Sequence, residues 1–138
     1  MAELVRLGPT SSDQLAVLNQ ALIQEEGSDT RLSLDELSQR MRGWLAGYYQ
    51  VVAAKDSNRL LGYCLFAVET NRVYVRQLYV VESARLSGYG KALLAWVEAN
   101  TPEQLPLHLK VLSGNHRVLG FYQKLGYQIH AHELRKRT

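Results

Sequence analysis

The sequence predicts a mixed α+β / α/β domain: one central sheet, antiparallel in its first half and parallel in its second, flanked by about four helices. Three observations predict it. Hydrophobic periodicity switches several times between the alternation of a strand and the wider repeat of a helix. The strand-like runs in the middle of the chain are joined by tight turns at Asp56-Ser57-Asn58 and Thr70-Asn71, and connections that short join antiparallel neighbours. Beyond residue 81 strands and helices alternate, and strand–helix–strand units pair in parallel with a right-handed crossover. At 138 residues with 46% apolar content, the chain is expected to form one domain over 1–138, with a core that needs neither disulfide nor metal.

In order, residues 2–7 are a short strand closed by Gly8-Pro9. Ser11 or Ser12 can cap a helix carrying Leu15, Leu18, Leu22 and Ile23 on one face, ended by Gly27-Ser28-Asp29. Ser33 with Glu36 three residues on is a capping box. The helix it opens carries Leu34, Leu37, Met41, Trp44 and Leu45, and Gly47 stops it. Strands follow at 48–54, 60–68 and 73–81. A helix from about Gly88 to Ala99 stops near Asn100 and Pro102, and 105–112 is a strand. Residues 115–124 form a last helix, with Gly126 at its C-terminal end, and 127–134 are a last strand.

Composition narrows the function classes. A formal charge of +3 suits an anionic small ligand and is too mild for a nucleic-acid partner. The tail Arg135-Lys136-Arg137 reads as a solvated end. Cys64 is the only cysteine and lies in an apolar run, so it reads as a core residue of an intracellular, cytoplasmic chain. No targeting segment or membrane-length apolar run is present. His108, His116, His130 and His132 lack metal-ligand spacing, so no metal is expected.

The informative junction is Leu78-Tyr79-Val80-Val81 leading into Arg85-Leu86-Ser87-Gly88-Tyr89-Gly90-Lys91. A strand enters, a loop turns, and two glycines open a helix. The first turn of a helix has amides without intrahelical partners and carries the positive end of the macrodipole, so an anion docks there. Gly88 and Gly90 let it approach the backbone, and Arg85 can add a charge-assisted bond. A P-loop needs four residues between its glycines and then Lys-Ser/Thr, and a Rossmann fingerprint needs a third glycine and a distant acid; neither pattern is present. Two glycines alone would serve tight helix–sheet packing equally well.

With these elements in order, the chain resembles the GNAT superfamily of N-acetyltransferases. Arg85, Gly88 and Gly90 match its Gln/Arg-x-x-Gly-x-Gly/Ala motif. The segment Asn115-His116-Arg117-Val118-Leu119-Gly120-Phe121-Tyr122-Gln123-Lys124-Leu125-Gly126-Tyr127 resembles the family's C-terminal pattern of Asn, Tyr and Leu-Gly-Phe/Tyr. The resemblance implies the GNAT fold, with a parallel central pair that splays to admit acetyl-CoA. It implies that main-chain groups of Leu78 and Val80, beside Tyr79, hold the pantetheine, and that amides of Leu86, Ser87, Gly88, Tyr89, Gly90 and Lys91 hold the pyrophosphate with Arg85. Asn115 would contact the pantetheine arm, and Tyr122 would protonate the departing CoA thiolate as a primary amine of a small molecule or peptide attacks the thioester directly. On residue chemistry alone, Tyr122 could equally be a packing tyrosine. A homodimer is compatible with the resemblance.

Departures from the pattern limit it. Glutamates that some relatives keep at two strand positions are replaced here by Tyr74 and Lys110, so the general base is not evident. Ser87 stands where many relatives carry a basic residue, which shifts the pyrophosphate's charge to Arg85 and Lys91. The connection between the first two helices borders the amine pocket in this fold and holds Glu25, Glu26, Asp29 and Arg31; Glu25 and Glu26 are candidates for holding the amine, or part of a solvated turn. Gln77, Tyr79 and Arg76 are the other candidates, and strict alternation puts Gln77 and Tyr79 on one face with Arg76 on the opposite one. The competing function is a non-catalytic acyl-CoA-binding sensor or scaffold.

Overall fold

The computed structural model describes residues 2–137, so the expected domain limits at 1 and 138 fall outside it. The first strand, β1, spans Glu3–Leu7, and the helix α1 spans Ser12–Glu26. Ser11 takes the N-cap position, but its side chain makes no capping bond; instead the Ser12 hydroxyl donates to the Pro9 carbonyl at 2.7 Å. Gly27 ends α1 with φ +66°, the left-handed conformation glycine adopts at least cost. The helix α2, Leu34–Ala46, opens on the expected capping box: Glu36 N–H donates to Ser33 Oγ at 3.2 Å and Ser33 N–H to Glu36 Oε1 at 2.9 Å. Leu37 and Met41 of its stripe are buried, whereas Leu34, one residue past the cap, is exposed.

The strands β2 (Tyr49–Asp56), β3 (Arg59–Val68) and β4 (Val73–Val80) form the antiparallel meander, with β1 on its outer edge against β2. The helix α3, Tyr89–Ala99, returns the chain so that β5, Leu107–Leu109, pairs in parallel with β4. The helix α4 spans His116–Lys124, and the sheet order is β1-β2-β3-β4-β5. Each face of the sheet has its own core. Tyr49, Val51, Ala53, Tyr63, Leu65 and Tyr79 pack with Leu15 of α1 and Met41 of α2. Val52, Cys64, Phe66, Val73 and Val75 pack with Leu93, Leu94 and Val97 of α3 and Tyr122 of α4. Gly62 is required by the spacing of β3 and β4: a Cβ there would sit 2.7 Å from the Tyr79 carbonyl oxygen.

Three expectations are corrected. The β3–β4 register slips between Leu65 and Phe66, so Arg76 is an extra residue, a bulge, opposite Leu65. Two neighbouring residues of a bulge project to the same side, and Arg76 joins Gln77 on the α1/α2 face, against Trp44 and Tyr49, instead of pointing away from it. The predicted strand 105–112 shrinks to Leu107–Leu109, because β4 bends away at the bulge and its ladder with β5 ends at Val75–Leu109. The predicted strand 127–134 forms no ladder among the described residues. This segment runs beside β5 through its side chains, with the His108 and His130 rings 5.1 Å apart and Lys110 Nζ 2.8 Å from Glu133 Oε2. A three-residue β5 offers it few rungs, and its Ile129 and Leu134 find no layer to bury against and stay exposed.

Candidate active site

The bulge opens a cleft. The Val81 amide donates to the Leu61 carbonyl, so 61–81 is a hydrogen-bonded pair of the β3–β4 ladder, and by alternation 63–79 and 65–77 are too. The main-chain groups of Leu78 and Val80 therefore point the other way, toward the β5 side. Val73 and Val75 point the same way and are met there: the Val73 amide donates to Pro106, and the parallel ladder covers 73–75. Beyond Val75 no strand is paired to this edge of β4. The main-chain groups that the resemblance assigned to pantetheine thus face an opening.

One end of the opening is the loop into α3. Glu82–Ala84 is a single 3-10 turn, Arg85 is extended, Leu86 has φ +68° and Gly88, the N-cap, has φ +83°. A left-handed leucine with a fully exposed side chain costs roughly 1–2 kcal/mol. Strain of this kind persists where the surrounding chain enforces it, and it gathers at ligand sites. No side chain caps α3, so the first-turn amides keep no side-chain partner. The two glycines have different reasons. A Cβ on Gly88 would meet nothing within 4 Å, so its left-handed backbone is what requires glycine. A Cβ on Gly90 would lie 3.2 Å from Phe121 Cζ, so Gly90 permits packing of α3 against α4.

Arg85 does not stand free over that helix end. Its Nε donates to the Val80 carbonyl at 3.0 Å, and its Nη2 donates to both carboxylate oxygens of Glu25 at 2.6 and 2.8 Å. The Tyr79 hydroxyl donates to Glu25 Oε2 at 2.9 Å. A donor-side residue and an acceptor-side residue, chosen separately from the sequence, are therefore one cluster. Burial, and then the Glu25 carboxylate, hold the Tyr79 phenol above its ordinary range.

Tyr122 is 7% exposed and lies edge-on to Phe121 and Tyr127. Burial foremost, with Cys64, Tyr127 and Glu26 adding to it, pushes its phenol well above the ordinary value. Such a phenol holds its proton through neutral pH, and the same burial makes it a weaker acid than a free phenol. Cys64 is fully buried, and burial pushes its thiol far up, which makes a nucleophilic thiolate unavailable. Asn115 is the N-cap of α4 and its side chain makes no capping bond.

On the opposite side of β4, the Tyr63 hydroxyl donates to Gln77 Oε1 at 2.8 Å. Glu26 has an exposed surface, yet crowding by surrounding protein raises its carboxyl above the ordinary value of 4.5. Asp29 is drawn elsewhere, to Arg135 and Arg137 at 3.2 and 3.6 Å, and Arg31 reaches only the Thr30 carbonyl. Lys110 is paired with Glu133 at the surface. The residues that sequence reasoning missed are Arg40, Trp44 and Tyr63. Arg40 lies three residues after Leu37 and four before Trp44, on the inward stripe of α2, and that spacing was the available signal. Cavities of about 530 and 430 Å³ open elsewhere, against residues 125–128 and against His108 and His130; neither is lined by the 85–91 loop or Tyr122. Among the described residues no group of acids, histidines and cysteine could hold a metal, and no helix is long and apolar enough to cross a membrane.

A splayed parallel pair with an uncapped glycine-opened helix at its mouth defines a class of fold, and comparison with known proteins agrees on it. The acetyltransferase (GNAT) family profile matches residues 17–127, and the chain belongs to that family. No curated protein sequence matches it. Solved structures superpose over its whole length at low identity: a possible acetyltransferase from Clostridium difficile (TM-score 0.82, 15% identity, 100% of this chain and 97% of that one), and the aminoglycoside N-acetyltransferase AAC(6')-Iy in complex with CoA (TM-score 0.80, 14% identity, 100% and 95%). A ribosomal-protein-alanine N-acetyltransferase from Brucella melitensis follows at TM-score 0.77 and 16% identity, covering 100% of both chains. At these identities the likeness shows the fold.

Proposed function

We propose that the protein transfers an acetyl group from acetyl-CoA to a primary amine by direct attack. The observation that carries this is the opening along β4 beyond Val75, toward which the main-chain groups of Leu78 and Val80 point while the amides of α3 stand uncapped. Pantetheine amides pair with an extended edge as a strand would, and a pyrophosphate suits the helix N-terminus and its glycine-opened backbone. In this reading Asn115 contacts the pantetheine arm and Lys91 the pyrophosphate. The CoA held by a solved structure of the same fold supports the assignment.

In the step itself the amine nitrogen bonds to the thioester carbonyl carbon, and the carbon–sulfur bond breaks. The thiolate, with a pKa near 8.5, takes up the proton of Tyr122, and the amine's surplus proton leaves toward Glu26, directly or through a water. Solvent then restores both groups. A carboxyl raised above its ordinary value is a better base than an ordinary glutamate, and the charge of Glu26 bears on both Tyr63 and Tyr122. Replacement of the family glutamates by Tyr74 and Lys110 supports a second reading, a CoA-binding module without turnover.

Tyr122→Phe separates the two. It is expected to lower kcat by about 10²-fold, the scale of a lost general acid, while the Kd for CoA measured by calorimetry stays within about twofold. Full turnover in the variant removes Tyr122 as the acid. Tight CoA binding with no acetyl transfer across a broad amine panel establishes the non-catalytic module.

A further inference from the structure

Arg40 of α2 and Arg76 of the β4 bulge both stack on one ring: their guanidinium carbons lie 4.6 and 4.7 Å from the Trp44 centroid. Arg76 Nη1 also reaches the Tyr49 hydroxyl, at a long 3.4 Å. Arg40 Nη2 donates to Oδ1 of the buried Asn19 at 3.2 Å. Neither guanidinium forms an ion pair with a carboxylate among the described residues. Arg40 Nε is buried with no hydrogen-bond partner.

Two guanidinium groups stacked on one ring without a carboxylate partner is an unusual use of arginine. Neither can relieve the repulsion by losing a proton at ordinary pH. Burial, and then the charge of Arg76, disfavour the charged form of Arg40. Contact with the Trp44 ring offsets part of this. An anion bound by both would offset that repulsion and give the two cations a charged partner. The pair lies on the acceptor side of β4. Tyr63, bonded to the neighbouring Gln77, feels the charge of Glu26 from one side and of Arg40 from the other. Beside the apolar core, this face thus carries acids from α1, Glu25 and Glu26, and a base from α2, Arg40.

We propose that Arg40 and Arg76 receive a carboxylate of the acceptor, so that the substrate is an amine that also carries a carboxylate, held with its nitrogen toward Glu26. This rests on the transferase reading above. The planar guanidinium fork matches a carboxylate and discriminates it from the corresponding amide. The same two cations repel polycationic amines, so aminoglycosides are expected to be poor acceptors.

Trp44 supplies a readout that does not depend on turnover. With Trp96→Phe removing the second tryptophan, the CoA-saturated protein is titrated with free amino acids of differing chain length and with their amides, at fixed ionic strength. The acids should change Trp44 emission saturably and the amides should not. Arg76→Gln should weaken the response at least tenfold, and Arg76→Lys less. Calorimetry on the protein with both tryptophans repeats the comparison should the Trp96 variant fold poorly. An equal response to acid and amide, indifference to Arg76→Gln, or no response to any acid overturns the proposal. Acetyl transfer to the same panel keeps the two readings apart. Transfer without preference for the acids sinks the carboxylate site and keeps the transferase; selective binding of the acids without transfer keeps the site and sinks the transferase.

Discussion

On the α3 side of the cleft the groups that face the opening are main-chain: the edge of Leu78 and Val80 and the first amides of α3. On the α1/α2 side the proposed site is built from side chains: Glu25, Glu26, Arg40, Tyr63, Arg76, Gln77 and Tyr79. A main-chain site asks of the sequence only that nothing obstruct it, so it is written in glycines and in strand–loop–helix order. A side-chain site is specified residue by residue, and each member is held by neighbours from other elements. The donor half can thus be common to a family while the acceptor half is particular to one chain.

If that division holds, changes on the acceptor side should alter chemistry and pH response while donor binding stays put. Glu26→Gln is the strongest test. We expect kcat/KM for the amine to fall by about 10- to 100-fold and the acidic limb of its pH profile to disappear, with donor KM little changed. Stability should move the opposite way. Burial raises the folded-state pKa of Glu26 above 4.5, so its favourable contribution is complete below the unfolded value and is lost as pH rises through the folded one. Glutamine does not ionise. The variant should therefore melt higher than wild type near pH 7 and lose that advantage near pH 4. A persisting acidic limb would take the base role from Glu26.

Changes on the donor side should act through backbone. Alanine at Gly88 must adopt φ +83°, at a cost of roughly 1 kcal/mol in folding stability. Since its Cβ meets nothing in the free protein, any additional loss measures what the ligand occupies; we expect donor KM to rise about tenfold, a difference worth about 1.4 kcal/mol. Alanine at Gly90 presses only on the edge of the half-exposed Phe121 ring, and Phe121→Leu should relieve it. Equal donor KM for Gly88→Ala and wild type would leave Gly88 a purely conformational role and Gly90 a packing one.

Legibility followed the same division. The capping box at Ser33, the αL stop at Gly27 and the loop at 85–91 are local, and each has one dominant cause readable from a few consecutive residues. The Arg76 bulge is not local: it is a mismatch in length between β3 and β4, and alternation read along β4 alone put Arg76 on the wrong face. The last strand failed for a related reason. Residues 127–134 alternate as a strand should, but a ladder needs a partner, and β5 stops after three residues once β4 has bent away. The Arg40–Trp44–Arg76 group combines a helix stripe with the bulge, so it was hidden by the same slip.

Glu25 is where the two halves touch, and it yields the smallest expected effect. Its carboxylate holds Arg85 Nη2 and the Tyr79 hydroxyl, while Arg85 Nε occupies the Val80 carbonyl that the pantetheine would use. A pantetheine amide at this edge therefore competes with Arg85 for the Val80 carbonyl, and the Glu25 pair opposes the release of Arg85. The pair is partly exposed, at 28% and 38%, so it is worth about 1 kcal/mol at most. Glu25→Gln should then lower donor KM by twofold to fivefold at low salt, with the advantage shrinking as ionic strength rises and screens the wild-type pair. An unchanged donor KM would mean that Arg85 keeps its place while the cofactor binds, and that the Val80 carbonyl is not part of the donor site. A higher KM would instead mean that Glu25 presents Arg85 to the pyrophosphate.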